Sequence, residues 1–284
     1  MRILILGASG MLGNAMMRRL SVSDELEVYG SVRSASMKKY FDAAIAKRII
    51  TGLDVENADA LTRAFLEVRP QVVINCIGLV KQFSEAEDPL VALPINAMLP
   101  HRLARLSALA GARFIHISTD CVFSGRKGGY RESDESDAQD VYGRSKFLGE
   151  VHYPHCVTLR TSIIGHELNS THGLIGWFLS QKGPIKGYTR AVFSGLSTCE
   201  LATVIKDFVL PARDLTGLYH VAAEPITKYD LLKLAGSEYG HAIPIEPDDR
   251  LVIDRSLDAS RFNAATGYVA PPWPDLVKRM RDFG

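Results

Sequence analysis

Tyr142 and Lys146 stand four residues apart in the run YGRSK. On a helix this spacing brings a phenol and an ammonium group to one face. The lysine charge stabilises a phenolate and lowers the pKa of the tyrosine, so the phenol can exchange a proton with a substrate oxygen. A tyrosine and a lysine at this spacing are usually an ordinary pair of surface residues. The prediction of acid–base chemistry therefore depends on the segments around them.

A second candidate group follows the apolar run FIHIS, where the chain continues as Thr119, Asp120 and Cys121. Ligands of parallel α/β sheets bind at the carboxyl ends of the strands. The Thr119 hydroxyl can there donate a hydrogen bond to a carbonyl oxygen on which charge develops. Cys121 suggests a nucleophile, but no motif supplies a paired base, and a small side chain beside a substrate explains it more simply.

A glycine-rich turn follows the first apolar run and leads into a helical pattern. Glycine adopts the backbone angles that a tight turn needs, and free N–H groups at a helix start favour the charge of a pyrophosphate. The spacing GxxGxxG is one variant of the dinucleotide fingerprint, although many strand–helix junctions carry glycines for geometry alone. The predicted phosphate-binding residues are Gly7, Ser9, Gly10, Met11, Leu12 and Gly13.

The end of the second predicted strand indicates which nicotinamide cofactor fits. An acidic residue at this place binds the ribose 2′-hydroxyl of NAD and repels a 2′-phosphate. The chain instead carries Arg33 in the run SVRS, which favours NADP(H) over NAD(H) unless Arg33 is an ordinary solvated arginine. Further cofactor contacts are predicted after the third and fourth strands, at Asp54, Val55, Cys76, Ile77 and Gly78.

Short apolar runs alternate with amphipathic stretches along the first half of the chain, which is typical of parallel strands joined by crossover helices. The pattern predicts an α/β fold, a Rossmann-type doubly wound parallel sheet with a smaller C-terminal substrate-binding lobe. We expect an NAD(P)-binding domain over residues 1–164 and a mainly substrate-binding lobe over 165–284, from which some segments return to the sheet. The predicted strands are 2–6, 26–32, 48–52, 72–76, 112–118 and 156–160, and the predicted helices are 14–20, 58–68, 101–110 and 275–281.

The charge balance and the cysteines exclude several classes of function. Lys and Arg number 33 and Asp and Glu 32, so there is no basic field of the kind that nucleic-acid binding requires. The four cysteines and eight histidines show no CxxC or HxxxH spacing, so neither a disulfide framework nor a metal site is predicted. No apolar run approaches the roughly 18 residues that a membrane span needs. We expect a cytoplasmic protein without nucleic-acid, membrane or metal partners.

The order of the motifs resembles that of the extended short-chain dehydrogenase/reductase family, and within it the nucleotide-sugar reductases that include dTDP-4-dehydrorhamnose reductase. The matching motifs are the glycine turn, STDxVFxG, YGxSKxxGE, LRTS, and the closing LDxSRF with TGY. This resemblance, which runs from Met1 to near the C-terminus, implies that Tyr142 is the proton donor. It also implies that Lys146 lowers the pKa of Tyr142 and holds the nicotinamide ribose, that Thr119 polarises a ketone, and that the nicotinamide supplies the hydride.

The implied function is reduction of the 4-keto group of a nucleotide-linked 6-deoxy-hexulose by NAD(P)H, in deoxysugar or surface-polysaccharide synthesis. Three departures from the reductase pattern weaken the substrate assignment: Met11 replaces a frequent Gln, NCIG replaces the commoner NAAA, and Cys121 and Ser124 replace a frequent Tyr and Asp. Cys121 also stands where the related sugar dehydratases carry their second acid, so the acid pair for elimination of water is missing, which argues against a dehydratase. An epimerase and a non-catalytic NADP-binding regulatory subunit stay open as alternatives.

The resemblance also suggests further binding residues and a homodimer. Asn96 matches a family asparagine of the fourth crossover helix and is predicted to bind cofactor, with helix capping or packing as the alternative. Trp177 is assigned to substrate binding, with a place in the core beside Leu174 and Phe178 as its alternative. The predicted substrate-binding residues are Lys81, Thr119, Asp120, Cys121, Asn169, Trp177, Ser194 and Ser197.

Overall fold

The structure is a computed structural model that describes residues 1–81 and 84–284. Two compact units alternate along the chain. Unit 1 consists of Met1–Ser118, Gln139–Leu159 and Arg213–Leu218, and unit 2 of Thr119–Ala138, Arg160–Ala212 and Tyr219–Gly284. The chain therefore changes unit several times, and one segment after residue 164, Arg213–Leu218, belongs to unit 1. Which ligand each unit binds stays a prediction.

The elements below are numbered in chain order. The strands are β1 Arg2–Leu6, β2 Glu27–Val32, β3 Ile49–Thr51, β4 Val72–Asn75, β5 Arg113–Thr119, β6 Cys156–Thr161, β7 Ile163–Ile164, β8 Ile185–Tyr188, β9 Ala191–Phe193, β10 Leu196–Ser197, β11 Gly217–His220, β12 Ile226–Thr227, β13 Ile245–Asp248 and β14 Ile253–Asp254. The helices are α1 Met11–Leu20, α2 Ala43–Ala46, α3 Ala58–Val68, α4 Pro89–Ala92, α5 Leu99–Leu109, α6 Val141–Leu148, α7 Leu174–Ser180, α8 Thr198–Val204, α9 Lys228–Tyr239, α10 Ser260–Thr266 and α11 Trp273–Phe283.

The main sheet has seven strands in the order β11-β6-β5-β4-β1-β2-β3. The pairs β1–β2, β2–β3, β1–β4 and β4–β5 are parallel. Without β11, this is the doubly wound order in which the chain reverses direction across the sheet between β1 and β4, and ligands bind at such a switch point. The predicted fold class is confirmed, and each of the six predicted strands forms within one residue of its expected ends.

Unit 1 encloses an apolar core because its helices repeat buried residues at helical spacing. On α3 the buried side chains are Leu61, Ala64, Phe65 and Val68, and they belong to one cluster with residues of β1, β4, α5 and β5. Asn57 starts this helix, since its side chain accepts a hydrogen bond from the backbone N–H of Ala60. The predicted helix 58–68 is confirmed.

The crossover from β4 to β5 contains the predicted helix 101–110, which forms as α5 with each end shifted by one or two residues. Two further pieces, α4 and a π-helical segment Leu93–Met98, precede it and were not predicted. Prolines stand in the first turns of α4, of the π-helical segment and of α5. Proline has no N–H, so Pro89 is tolerated in the first turn of α4, where that N–H would lack a partner within the helix. Pro94 and Pro100 follow helical residues directly, so each removes a hydrogen bond from the helical backbone. The periodicity of the sequence shows only the last of the three pieces clearly.

Unit 2 contains three small sheets, β10–β7, β12–β9–β14 and β13–β8, together with α7 to α11. Its last helix begins at Trp273, not after Pro274 as predicted, because Pro272 is the N-cap and Pro274 fits in the first turn. None of the helices described for residues 1–81 and 84–284 is both long and apolar enough to span a membrane.

Candidate active site

The turn between β1 and α1 is built from backbone. Gly7 has a φ of +83°, a conformation that favours glycine. A Cβ atom on Gly13 would overlap the carbonyl oxygen of Gly7, so the helix can lie this close to the strand only with glycine at that position. A Cβ atom on Gly10 would lie 3.4 Å from the same oxygen, which is an ordinary contact.

The start of α1 fits an anionic group. Its N-cap, Gly10, makes no side-chain capping bond, and the first turn of this helix contains no acidic residue. The N–H groups of that turn are therefore available to a ligand, and the helix dipole favours negative charge beside them. Asn14 is buried, and within the described residues its amide nitrogen has no partner. These features fit a dinucleotide pyrophosphate, and the assignment of Ser9, Met11 and Leu12 to it stays a prediction.

The other predicted cofactor residues follow the strands of unit 1. Arg33 and Asp54, after β2 and β3, are exposed, whereas the Val55 side chain is buried in the core cluster. The part-buried Cys76 and Ile77 follow β4 directly. Exposure leaves Arg33 and Asp54 accessible to a ligand, while the burial of Val55 is already explained by packing.

The helix α6 carries Tyr142 and Lys146 one turn apart, as the spacing predicts. Asp140 starts this helix, because its Oδ1 accepts a hydrogen bond from the backbone N–H of Gly143 at 2.8 Å. The other oxygen of Asp140 accepts a 2.6 Å hydrogen bond from Nζ of Lys81. Lys81, predicted to bind substrate, thus contacts the cap of the helix that carries the phenol.

Gly149 follows the end of α6 and allows a close approach to the crossover. A Cβ atom at this position would overlap the carbonyl oxygen of Asn96, which lies in the π-helical segment. The Tyr142 side chain, on the same helix, is 9% exposed. Glycine at 149 therefore lets α6 pack directly on backbone, which fixes the helix that presents the tyrosine.

Lys146 is a buried cation in unit 1. Its side chain donates a 2.9 Å hydrogen bond from Nζ to the carbonyl oxygen of Ile117 on β5. Burial lowers the pKa of Lys146 to about 8, and the negative charge of Glu150 opposes this change, as would that of a Cys76 thiolate to a smaller extent. A Cβ atom on Gly78 would lie 3.6 Å from Nζ, so the chain after β4 passes close to the ammonium group.

Asn96 joins three pieces of unit 1. Its Oδ1 accepts a hydrogen bond from the backbone N–H of Leu79 at 2.9 Å, and its Nδ2 donates to Oγ of Ser145 at 3.2 Å. Ser145 in turn donates to the carbonyl oxygen of Tyr142 at 2.9 Å. Asn96 and Ser145 are buried. Asn96 therefore positions the loop after β4 and the helix α6, which supports the packing alternative of the sequence analysis.

A buried pair on β4 and β5 supports the same loop. Nδ2 of Asn75 donates to Nδ1 of His116 at 3.2 Å, and Oδ1 of Asn75 accepts from the N–H of Ile77 at 3.1 Å. Burial lowers the pKa of His116 well below its ordinary value, and the charges of Lys146 and His101 lower it further. His116 is therefore neutral, and as an acceptor at Nδ1 it carries its proton on Nε2.

In unit 2, Thr119 begins a short turn after β5. Its Oγ1 donates to Oδ1 of Asp120 at 3.1 Å and accepts from the backbone N–H of Cys121 at 3.1 Å. Burial raises the pKa of Asp120, while the charges of Arg255 and Lys228 and the hydrogen bonds from Thr119 and Cys121 oppose it. To act on a ketone, the Thr119 hydroxyl would have to turn away from Asp120.

Several residues of these two sites were not predicted from the sequence. In unit 2 they are Lys228 and Arg255, whose Nε donates to the carbonyl oxygen of Phe123 at 2.7 Å. In unit 1 they are Ser145, in the run YGRSK, and His116, in the run FIHIS. Arg255, Ser145 and His116 have hydrogen-bond partners 132, 49 and 41 residues away, which no local pattern indicates.

Two predicted substrate residues of unit 2 have structural partners. The buried Ser194 hydroxyl accepts a hydrogen bond from the N–H of Leu257 at 3.0 Å. The buried Ser197 side chain caps α8 by accepting from the N–H of Glu200. These bonds explain both serines without a ligand, and their contact with substrate stays a prediction.

The other two side chains of the predicted substrate lobe, Asn169 and Trp177, are exposed. The core alternative for Trp177 is wrong, because Ile175 and Phe178 are the side chains of α7 that are buried. Trp177 is 37% exposed at the opposite side of that stripe. Its indole and the Asn169 amide are thus accessible, and their role in substrate binding is untested.

Comparison with known proteins identifies the family of the chain. Residues 1–248 match the family model described as the RmlD substrate binding domain. The chain belongs to this family. It is 30% identical over 292 residues to a probable low-salt glycan biosynthesis reductase, Agl14, of Haloferax volcanii, which covers 95% of this chain and 94% of that protein. The RmlD family comprises NAD(P)-dependent nucleotide-sugar reductases.

Further relatives match less of the chain or are less similar. The chain is 34% identical over 172 residues to a dTDP-4-dehydrorhamnose reductase of Mycobacterium tuberculosis, covering 57% of this chain and 49% of that protein. The match thus spans about half the length of that relative. A dTDP-4-dehydrorhamnose reductase of Bacillus anthracis, solved in complex with NADP, superposes with a TM-score of 0.81 at 23% identity, over 100% of this chain and 98% of that one. At this identity the likeness shows the fold.

One relative is named as a subunit of another enzyme and not as a reductase. The chain is 25% identical over 261 residues to methionine adenosyltransferase 2 subunit beta of Danio rerio, which covers 81% of this chain and 71% of that protein. Similarity to the family therefore extends to a protein named as a subunit of another enzyme.

Proposed function

We propose that this protein reduces the 4-keto group of a nucleotide-linked 6-deoxy-hexulose, with NADPH as the hydride donor. The observation that carries the proposal is the pair on α6: Tyr142 one turn before a buried Lys146, on a helix fixed at both ends. Acid–base catalysis needs a proton donor whose conjugate base is stabilised, and this pair meets that need. A dTDP-linked sugar of deoxysugar or surface-polysaccharide synthesis is the substrate that the similarity to dTDP-4-dehydrorhamnose reductases favours.

When bound, a nicotinamide dinucleotide supplies the hydride that adds to C4 of the ketosugar. The backbone turn of Gly7, Gly10 and Gly13 would hold its pyrophosphate, for the reasons of charge and close approach given above. The exposed Arg33 would contact a 2′-phosphate. Lys146 would hold the nicotinamide ribose, because its side chain lies beside the loop after β4.

The residues of the chain manage the proton. As C4 accepts a hydride, the carbonyl double bond becomes an alkoxide, and the phenol of Tyr142 transfers its proton to that oxygen. The ammonium group of Lys146 stabilises the phenolate that remains, and solvent then returns the proton. The resemblance to the family assigns Thr119 to polarising the ketone, which its hydroxyl would do by donating a hydrogen bond to an oxygen on which charge develops. Each turnover therefore consumes one proton and one hydride and yields a hydroxyl group.

The test follows the oxidation of NADPH by absorbance, with dTDP-4-dehydro-6-deoxy-L-mannose as substrate. For Tyr142→Phe we expect kcat to fall by about 10²–10⁴-fold, the contribution typical of a positioned proton donor, while NADPH still binds. Tyr188→Phe, on β8, removes the same hydroxyl elsewhere and should leave kcat unchanged. A Tyr142→Phe variant as fast as the parent would show that another group donates the proton.

A non-catalytic NADP-binding subunit is the second candidate function, favoured by the similarity to methionine adenosyltransferase 2 subunit beta. It predicts tight NADPH binding, no turnover on any ketosugar of a panel, and co-purification with a larger partner enzyme. An epimerase gives a third pattern in the same assay: product appears without net consumption of NADPH. The buried Lys146 beside Tyr142 favours the reductase over a subunit that only binds cofactor.

A further inference from the structure

Two neighbouring residues of β5 hold two charged side chains of the α6 region. The carbonyl oxygen of Ile117 accepts the hydrogen bond from Nζ of Lys146 at 2.9 Å. The hydroxyl of Ser118, the next residue, donates to Oε1 of Glu150 at 2.7 Å. Lys146 is 5% exposed and Glu150 4% exposed, so a cation and a carboxylate four residues apart are both buried against the same strand.

Burial of a charged group is costly unless an opposite charge or hydrogen bonds compensate. The titratable groups that interact electrostatically with Lys146 are Glu150, Cys76 and His116, and Tyr142 lies one turn before it on α6. Burial raises the pKa of the Cys76 thiol to about 12 and lowers that of His116, so both are neutral at pH 7. Glu150 is therefore the group that supplies negative charge to the lysine.

We infer that Glu150 is a positioning residue, whose carboxylate, held by Ser118, keeps the Lys146 side chain protonated at neutral pH. The carboxylate accepts its hydrogen bond from β5, and its effect on the phenol would be exerted through the charge of the lysine. Only the consequence for catalysis rests on the proposed function: a neutral lysine would no longer stabilise the phenolate of Tyr142.

The test measures the protonation of Lys146 directly. Protein labelled with ¹³C at the lysine Cε is titrated by NMR without cofactor or substrate, and Lys146→Arg identifies the resonance by its disappearance. Glu150→Gln keeps the size of the side chain and an oxygen that accepts from Ser118, but removes the charge. We expect the pKa of Lys146 to fall by about one pH unit or more, as loss of a nearby opposite charge predicts.

Two matched variants separate charge from structure. Glu67→Gln makes the same chemical change on the exposed face of α3 and should leave the titration of Lys146 unchanged. Ser118→Ala removes the hydrogen bond and keeps the carboxylate, so the pKa of Lys146 should change much less than in Glu150→Gln. A folded Glu150→Gln protein whose Lys146 titrates as in the parent would overturn the inference.

A double variant keeps the inference testable if Glu150→Gln does not fold. Glu150→Met combined with Ser118→Ala removes the charge together with the hydroxyl that would otherwise lose its partner, and the pKa of Lys146 should again fall by about one pH unit or more. An unchanged titration of Lys146 in this variant would contradict the coupling. Since neither titration needs turnover, a protein that reduces no ketosugar can still confirm the pair, and a failed pair leaves the reductase assay unaffected.

The consequence for activity is a change in pH dependence. Because Glu150→Gln leaves Lys146 neutral over more of the neutral range, kcat near pH 8 should fall more than kcat near pH 6. Loss of structure alone would reduce kcat by the same factor at both values. A uniform reduction would therefore argue for a structural role of Glu150.

Discussion

Two sites of unit 1, the β1–α1 turn and the helix α6, are built from different parts of the chain. At the turn, backbone N–H groups and glycines form the site, with no side-chain cap and no acid in the first turn of α1. At α6 the contributions are side chains, from the cap Asp140 to the buried Ser145 and Lys146. Both sites fail when atoms are added at their tight glycines, Gly13 and Gly149, but only α6 also loses its function when a side-chain atom or a charge is removed.

This difference separates affinity from chemistry. A backbone site gives a ligand position and charge complementarity, which the same residues provide in every protonation state. A side-chain site depends on titration, so its function and its contribution to stability change with pH. Four experiments test this contrast, and the largest effect is expected at α6.

Lys146→Met should change how stability depends on pH. Because the folded pKa, about 8, lies below the unfolded value, the unfolded state binds more protons between the two values, and stability rises with pH there. The depressed pKa lowers the free energy of unfolding by about 3 kcal/mol below pH 8, and this loss disappears by about pH 10.5. Urea unfolding at pH 7 and pH 10.5 should show this gain in the parent and in the exposed control Lys47→Met. An equal gain in Lys146→Met would mean that the lysine is not buried as a cation.

Gly13→Ala should destabilise the turn, since its Cβ atom would overlap the Gly7 carbonyl oxygen. We expect a loss of about 1–3 kcal/mol in the free energy of unfolding, typical of overpacking, together with weaker NADPH binding. Gly10→Ala is the matched variant, with room for its Cβ atom, and should be clearly more stable than Gly13→Ala. Equal stability of the two would show that the turn relaxes, and the contrast with α6 would weaken.

Ser145→Ala removes one oxygen from the α6 site. The amide of Asn96 then loses its partner in a buried position, which should cost about 1–2 kcal/mol. Ser133→Ala, on an exposed turn, should be neutral in the same urea titration. A lower kcat with unchanged NADPH affinity would show that Ser145 positions Tyr142. A lower NADPH affinity with unchanged kcat would show that Ser145 positions the loop after β4.

Arg33→Ser tests the one side chain predicted to add selectivity to the backbone site. Because Arg33 is exposed, its contact with a phosphate would be weakened by solvent, and we expect NADPH affinity to fall only about tenfold. NADH affinity should not change, since the pyrophosphate contacts remain. An equal loss of affinity for NADPH and NADH would show instead that Arg33 stabilises the backbone at the end of β2.

The sequence predicts the parts of unit 1 that depend on local pattern. The strand ends, the glycine turn and the α6 pair are of this kind, because alternation, glycine spacing and a four-residue step are visible within a few residues. The bond between Asn96 and Ser145 joins residues 49 apart, and the pair Asn75–His116 joins residues 41 apart. Such contacts depend on strand order and crossover path, which no single stretch of sequence contains. The core alternative for Trp177 was wrong for a related reason, since apolar type alone does not say which side of a short helix faces the core.

The alternation of the two units along the chain has a consequence for how the protein is made. The edge strand β11, Gly217–His220, joins the sheet beside β6, so this sheet stays incomplete on the ribosome until residue 217 of 284 has emerged. Unit 2 can be completed only later, because the helix α11, which packs on α8 and α9, ends at Phe283. Translation therefore delivers neither unit early, and a nascent chain paused at residue 164 exposes apolar faces of both units to chaperones and to aggregation.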